Sequence, residues 1–67
     1  MMKLIVNGRE HEHGGPGTLP ALLEELGVGR ARVAVMVNER VARWEERETV
    51  RLSEGDRIDV FRMIGGG

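Results

Sequence analysis

Cysteine is absent from this 67-residue chain, which removes disulfide scaffolds, thiolate metal sites and thiol nucleophiles together. A small domain without such staples must draw its stability from tight packing, and a cytoplasmic location is the default expectation. Neither sign of charge is in excess. A net charge of −1 and an isoelectric point near 6.1 leave no basic stripe of the kind nucleic-acid binders use. No apolar run approaches the roughly 20 residues that cross a bilayer, so no membrane partner is expected. Met1–Asn7 is too short for a secretory signal. Glutamine is missing, asparagine occurs only at Asn7 and Asn38, and Lys3 is the single lysine. That bias resembles a GC-rich or heat-adapted source. There is no glycine-rich Walker-type loop to cradle ATP phosphates. A chain of this size buries only about 60% of its unfolded surface, enough for one thin core and too little for an enclosed active site. No catalytic residue, cofactor or bound metal is expected.

What is present reads as one domain, with 40% hydrophobic and 31% charged residues. Met2, Leu4 and Val6 alternate with Lys3, Ile5 and Asn7, the period of a strand. Asn7-Gly8 suits a type I′ hairpin turn, so Arg9-Glu10-His11-Glu12-His13 is predicted to return as a second strand. It is polar on both faces and reads as an edge. Gly14-Gly15-Pro16-Gly17 ends it as a loop. Thr18 is placed to cap a helix, with Pro20 in the first turn, where a missing N–H costs little. Leu19, Leu22, Leu23 and Leu26 have the spacing of one apolar helix face, with Glu24 and Glu25 opposite. Gly27 ends that helix.

Val33-Ala34-Val35-Met36-Val37 is β-branched and reads as a central strand. Asn38-Glu39-Arg40 turns into a short strand near Val41-Ala42. From Arg43 to Glu48 periodicity is lost, as in an exposed loop or one helical turn. Thr49–Leu52 is expected to be extended, Ser53–Asp56 a turn, and Arg57–Met63 the last strand. One amphipathic helix with one sheet places the helix across a single sheet face. Leu4, Val6, Val33, Val35, Val37, Ile58 and Val60 then meet the four leucines. This is the element order of an α+β, β-grasp (ubiquitin-like) fold: a mixed sheet of four to five strands, with residues 1–64 as the domain and 65–67 as a flexible tail.

Three competing signals read as structural. His11 and His13 share a strand face, but two ligands are too few for a structural zinc site, and solvated edge residues are expected. Glu24 and Glu25 are adjacent on a helix and point apart, which does not suit paired acid and base catalysis. Trp44 reads as a lid on the core edge.

The chain runs from the apolar Ile58–Ile64 directly into Gly65-Gly66-Gly67. Such a run is either a frayed end or a segment slim enough to thread a narrow channel and present its carboxylate to another protein's chemistry. Its position after a strand, in a chain this small, favours threading. Val6-Asn7-Gly8, Thr18-Leu19, Leu22-Leu23, Leu26-Gly27, Val33-Ala34-Val35, Val37-Asn38, Gly55-Asp56-Arg57 and the terminal glycines together resemble the thiamine-biosynthesis sulfur carrier (ThiS-like) family. The resemblance implies a non-enzymatic carrier whose Gly67 carboxylate is adenylated by an ATP-dependent adenylating enzyme (ThiF-like). A sulfur donor system then loads it as a thiocarboxylate, and sulfur passes to a thiazole synthase (ThiG-like). Gly65 and Gly66 would thread the partner's channel. Met36, where such proteins often carry a charge, and the Glu10–His13 segment with its glycine loop depart from the family pattern.

Strand alternation sends Ile5, Ala34, Met36, Phe61 and Met63 to the face away from the helix. Contiguous apolar patches on small proteins usually mark interaction surfaces, so these five residues are the expected docking face. Two other readings stay open on sequence. One is the small subunit of molybdopterin synthase, usually longer and often ending in Ala-Gly-Gly. The other is a regulatory ubiquitin-like binding module, which would not need the glycines.

Overall fold

The computed structural model describes residues 1–29 and 31–62. The strands are β1 (Met2–Val6), β2 (Arg9–His13), β3 (Val33–Val37), β4 (Arg40–Val41) and β5 (Arg57–Arg62). One helix, α1 (Leu19–Glu25), follows β2, and a 3-10 helix spans Trp44–Thr49. The sheet order is β2-β1-β5-β3-β4. Only the β1–β5 pairing is parallel; β1–β2, β3–β4 and β3–β5 are antiparallel. This mixed sheet with one helix across a face is the β-grasp arrangement expected from the element order.

Local chemistry accounts for the boundaries. Asn7 and Gly8 adopt φ of 51° and 82°, the two positive angles a type I′ turn needs. Asn38 and Glu39 do the same at 49° and 71° between β3 and β4. Thr18 Oγ1 accepts from Ala21 N at 3.3 Å and caps α1. At the other end, Gly27 at φ 79° lets its N–H reach Glu24 O at 3.0 Å while Val28 N reaches Leu23 O at 2.9 Å. That pair of bonds is a Schellman close. The segment expected to be extended pairs Arg51 with Thr18 as an isolated bridge and buries Leu52. Residues Trp44–Thr49 form a 3-10 helix, and Glu46 anchors it by accepting from Arg43 N at 3.0 Å.

Leu4, Val6, Val33, Val35 and Ile58 are buried against Leu19, Leu22 and Leu23, with Leu26, Val37 and Val60 packed at the margin. Among the described residues no helix is long and apolar enough to cross a membrane.

Two expectations are corrected. The histidines of β2 are not solvated edge residues. His13 is 1% exposed, because alternation turns His11 and His13 to the helix side, where Glu25 meets them. His11 Nε2 donates to Glu25 Oε2 at 2.5 Å, and His13 Nδ1 stands 3.1 Å from the same oxygen. His13 Nε2 donates to Pro16 O at 2.6 Å, and Gly14 N donates to Glu25 Oε1 at 3.2 Å. Glu25 therefore joins the edge strand and the glycine loop to the end of α1 instead of facing solvent opposite the leucines. Nor is Trp44 a lid on the core. It is 67% exposed, because it starts a 3-10 helix that stands off the sheet.

Two consequences are measurable. Leu23 is 4% exposed, and Leu23→Ala should cost about 2–5 kcal/mol. At roughly 4–8 °C per kcal/mol for a domain of this size, the melting temperature should drop by about 10 °C or more. An unchanged value would mean α1 is not packed as described.

The bonds from His11, then His13 and Gly14, lower the Glu25 carboxyl from its ordinary 4.5 to about 2. A carboxyl lowered on folding contributes its full stabilisation above 4.5 and loses it as the pH falls through about 2. In urea titrations the margin of wild type over Glu25→Gln should shrink across that interval. A margin independent of pH would show that the cluster does not hold the carboxylate.

Candidate functional site

β5 lies in the middle of the sheet, and its residues alternate between the core and the outer face. Ile58 pairs with Val6 on one side and Val37 on the other, which turns all three toward α1. Phe61 falls on the outer face and pairs with Ala34, while Met36 pairs with Asp59. Phe61 is 53% exposed. These three residues of the expected docking face therefore lie together.

Val41, absent from the sequence expectation, joins them. It pairs with Met36 and is 65% exposed. A two-residue strand shows no period of its own; only its pairing with Met36 reveals which face it takes. Ile5 shares the outer face but stands apart, with Arg57 opposite it and Asp59 between Arg57 and Phe61 along β5. Lys3, Glu10 and Glu12 flank it. The outer face thus divides into an apolar end and a charged end. Met63 and Gly65, Gly66 and Gly67 lie outside the described residues.

The apolar end is also where β5 departs from β1. The backbone pairing of the two strands runs only through Val6 and Ile58, extended by Asn7 N donating to Ile58 O at 2.9 Å. Beyond that, the Asn7 side chain takes over, its Oδ1 accepting from Val60 N at 2.8 Å. An asparagine chosen for turn geometry therefore also substitutes for a missing strand. From Phe61 onward, β5 is held by β3 alone among the described residues. At the opposite end of β5, Asn38 Oδ1 accepts from Arg57 N and its Nδ2 donates to Asp56 Oδ1, both at 3.0 Å. The two asparagines of the chain each hold one end of β5. Their pairing with turns was visible in the sequence, but their side-chain bonds to β5 were not.

The site offers no pair of acid and base groups. Among the described residues no set of His, Cys, Asp and Glu side chains is arranged to hold a metal ion; His11, His13 and Glu25 are turned on one another. What the outer face can do is bind a surface and set the direction in which the chain leaves β5.

Comparison with known proteins agrees with that reading. The ThiS family model matches residues 3–67. The crystal structure of the thiamine biosynthesis protein ThiS from Geobacter metallireducens superposes with a TM-score of 0.83 at 30% identity, covering 98% of this chain and all of that one. A solution structure of a thiamine biosynthesis protein from the same organism gives 0.77 at 30% identity, over 98% of this chain and 88% of that one. Two proteins named thiazole synthase, from Paramagnetospirillum magneticum and Magnetococcus marinus, are 38% and 39% identical over 66 residues. Those residues are 98% of this chain and 20% of each relative, so the chain spans a fifth of their length. With the family model reaching from β1 through the glycine end, and the fold shared over the whole of a solved member, the chain belongs to the ThiS family.

Proposed function

We propose that this protein is a carrier, not a catalyst, that holds sulfur as a thiocarboxylate on Gly67 for the thiazole step of thiamine synthesis in the cytoplasm. The observation that carries this reading is the extent of the family match: it includes Gly65, Gly66 and Gly67, directly after the strand at the centre of the sheet. A chain without cysteine has no side-chain thiol on which to hold transferable sulfur, so the terminal carboxylate is the attachment point.

A carboxylate is a poor electrophile until one oxygen becomes part of a good leaving group. In the proposed sequence the Gly67 carboxylate attacks the α-phosphorus of ATP in an adenylating partner and releases pyrophosphate. Sulfur at the sulfide level, from a donor system, then adds to the carbonyl carbon and expels AMP. Gly65 and Gly66 thread the partner's channel, because a residue without Cβ allows the closest approach. The thiocarboxylate then gives its sulfur to a thiazole synthase. That partner is supported by the two relatives named for the activity, each containing a stretch like this chain within a longer protein. Phe61, Ala34 and Met36, with Val41 beside them, are the proposed docking surface. Met63 extends it toward the tail, and Ile5 marks its far margin. The thiamine proteins among the structural relatives favour this pathway over the molybdopterin one.

Intact mass spectrometry after incubation with ATP, a thiamine-type adenylating enzyme and a sulfide source tests the chemistry. Wild type should gain the difference between one sulfur and one oxygen at its carboxyl end. Gly66→Val should fold normally and gain nothing. Failure of wild type to gain that mass, or equal gain by the variant, would overturn the reading.

The docking surface has its own test. Phe61→Asp should weaken binding to the adenylating enzyme about thirtyfold, the equivalent of losing roughly 2 kcal/mol from an aromatic anchor. Its melting temperature should stay close to wild type. Unchanged affinity would exclude the apolar end of the outer face as the docking surface.

A further inference from the structure

Between α1 and the 3-10 helix lies a groove of about 400 Å³, within the size range of ligand sites. It lies on the helix side of the sheet, away from the outer face. Its apolar lining comes from Pro20, Leu23 and Trp44, and its carboxylates from Glu24, Glu45 and Glu48.

Trp44 is exposed and yet held in place. The Arg47 guanidinium carbon sits 4.9 Å from the centre of its ring. Arg47 is itself fixed, donating to Val33 O at 2.6 Å and to Ala42 O at 3.3 Å. A large aromatic surface that is already ordered gives up little freedom on binding, and tryptophan is enriched among residues that dominate interface energies.

The charges are arranged with a bias. Arg47 spends its donors on two backbone carbonyls, while three carboxylates remain at the groove. The Glu24 carboxylate lies over Gly29, in space that a Cβ there would occupy. Arg43 Nη2 comes within 3.6 Å of Glu45, but both side chains are about 70% exposed, and such solvated pairs are worth little.

We infer that this groove is a second docking surface, fitted to a protein segment that presents an arginine or lysine beside an aliphatic side chain. The aliphatic group packs on Pro20, Leu23 and Trp44, and the cation meets the Glu24, Glu45 and Glu48 carboxylates. Because the groove and the outer sheet face lie on opposite sides of the domain, both can be occupied at once. The inference does not depend on the sulfur-carrier reading.

Two short peptides test it: acetyl-Leu-Arg-Leu-amide as probe and acetyl-Leu-Glu-Leu-amide as control, each titrated into the ¹⁵N-labelled protein. The arginine peptide should produce saturable amide shifts confined to Leu23, Glu24, Gly29, Trp44, Glu45 and Glu48, with a change in Trp44 emission that high salt suppresses. The control should produce none. The double variant Glu45→Gln, Glu48→Gln should bind the arginine peptide about threefold more weakly, as expected from losing solvated charge contacts. Trp44→Ala should lose binding while the rest of its spectrum is preserved. The proposal is overturned by equal responses to the two peptides, by no response, by shifts centred on Ala34, Met36 and Phe61, or by variants that bind as well as wild type. Shifts of the groove residues on concentration alone, without peptide, would identify the occupant as a second copy of this chain and overturn it equally.

Discussion

Everything in this domain depends on Ile58 being buried between Val6 and Val37. That residue is fully enclosed, and its two neighbours join the N-terminal hairpin to the C-terminal half of the sheet. In a strand the side-chain period is two, so the burial of one residue sets the face of every other. With Ile58 inward, Val60 packs at the core margin, and Arg57, Asp59 and Phe61 point outward. A slip of one residue would put Phe61 beneath the helix and Ile58 into solvent. The apolar core of β5 and the surface offered to partners are two readings of one register.

Much of this was legible in the sequence because its causes are local. Asn7-Gly8, the Thr18 cap, the leucine spacing of α1 and the Gly27 close each follow from a few adjacent residues, and each is present. The alternation in β1, β3 and β5 separated inner from outer residues correctly. What escaped came from contacts between distant elements. His11 and His13 looked like solvated edge residues because nothing near them in sequence announces Glu25. Trp44 looked like a core lid because its alternative partner, Arg47, becomes meaningful only when that arginine is tied to Val33 O and Ala42 O. The separation of Ile5 from Phe61 depends on the offset between two parallel strands, which no turn residue specifies.

The division of the outer face has a physical logic. An apolar surface running across all five strands would present two unpaired sheet edges beside a greasy face, a combination prone to association. Here the β2 edge is covered by Glu10 and Glu12 and the β4 edge is only two residues long. The apolar end is small and sits where the chain leaves the sheet. A partner that binds there also captures the direction of the departing chain, which converts a modest contact area into positional control of whatever follows β5.

The place of β5 in the sheet has a further meaning for how the molecule is made. The residues bonded across the parallel seam, Asn7 and Val60, are 53 apart in the chain, and contacts of such long range form late because the intervening chain must first be closed into a loop. During synthesis the two hairpins and α1 are complete before β5 exists, yet they cannot be joined without it. A ribosome-bound or truncated product lacking β5 has no centre to its sheet and exposes the apolar groups that Ile58 should cover, a target for cellular quality control. The strand that leads to the glycines is therefore also the one whose arrival completes the fold.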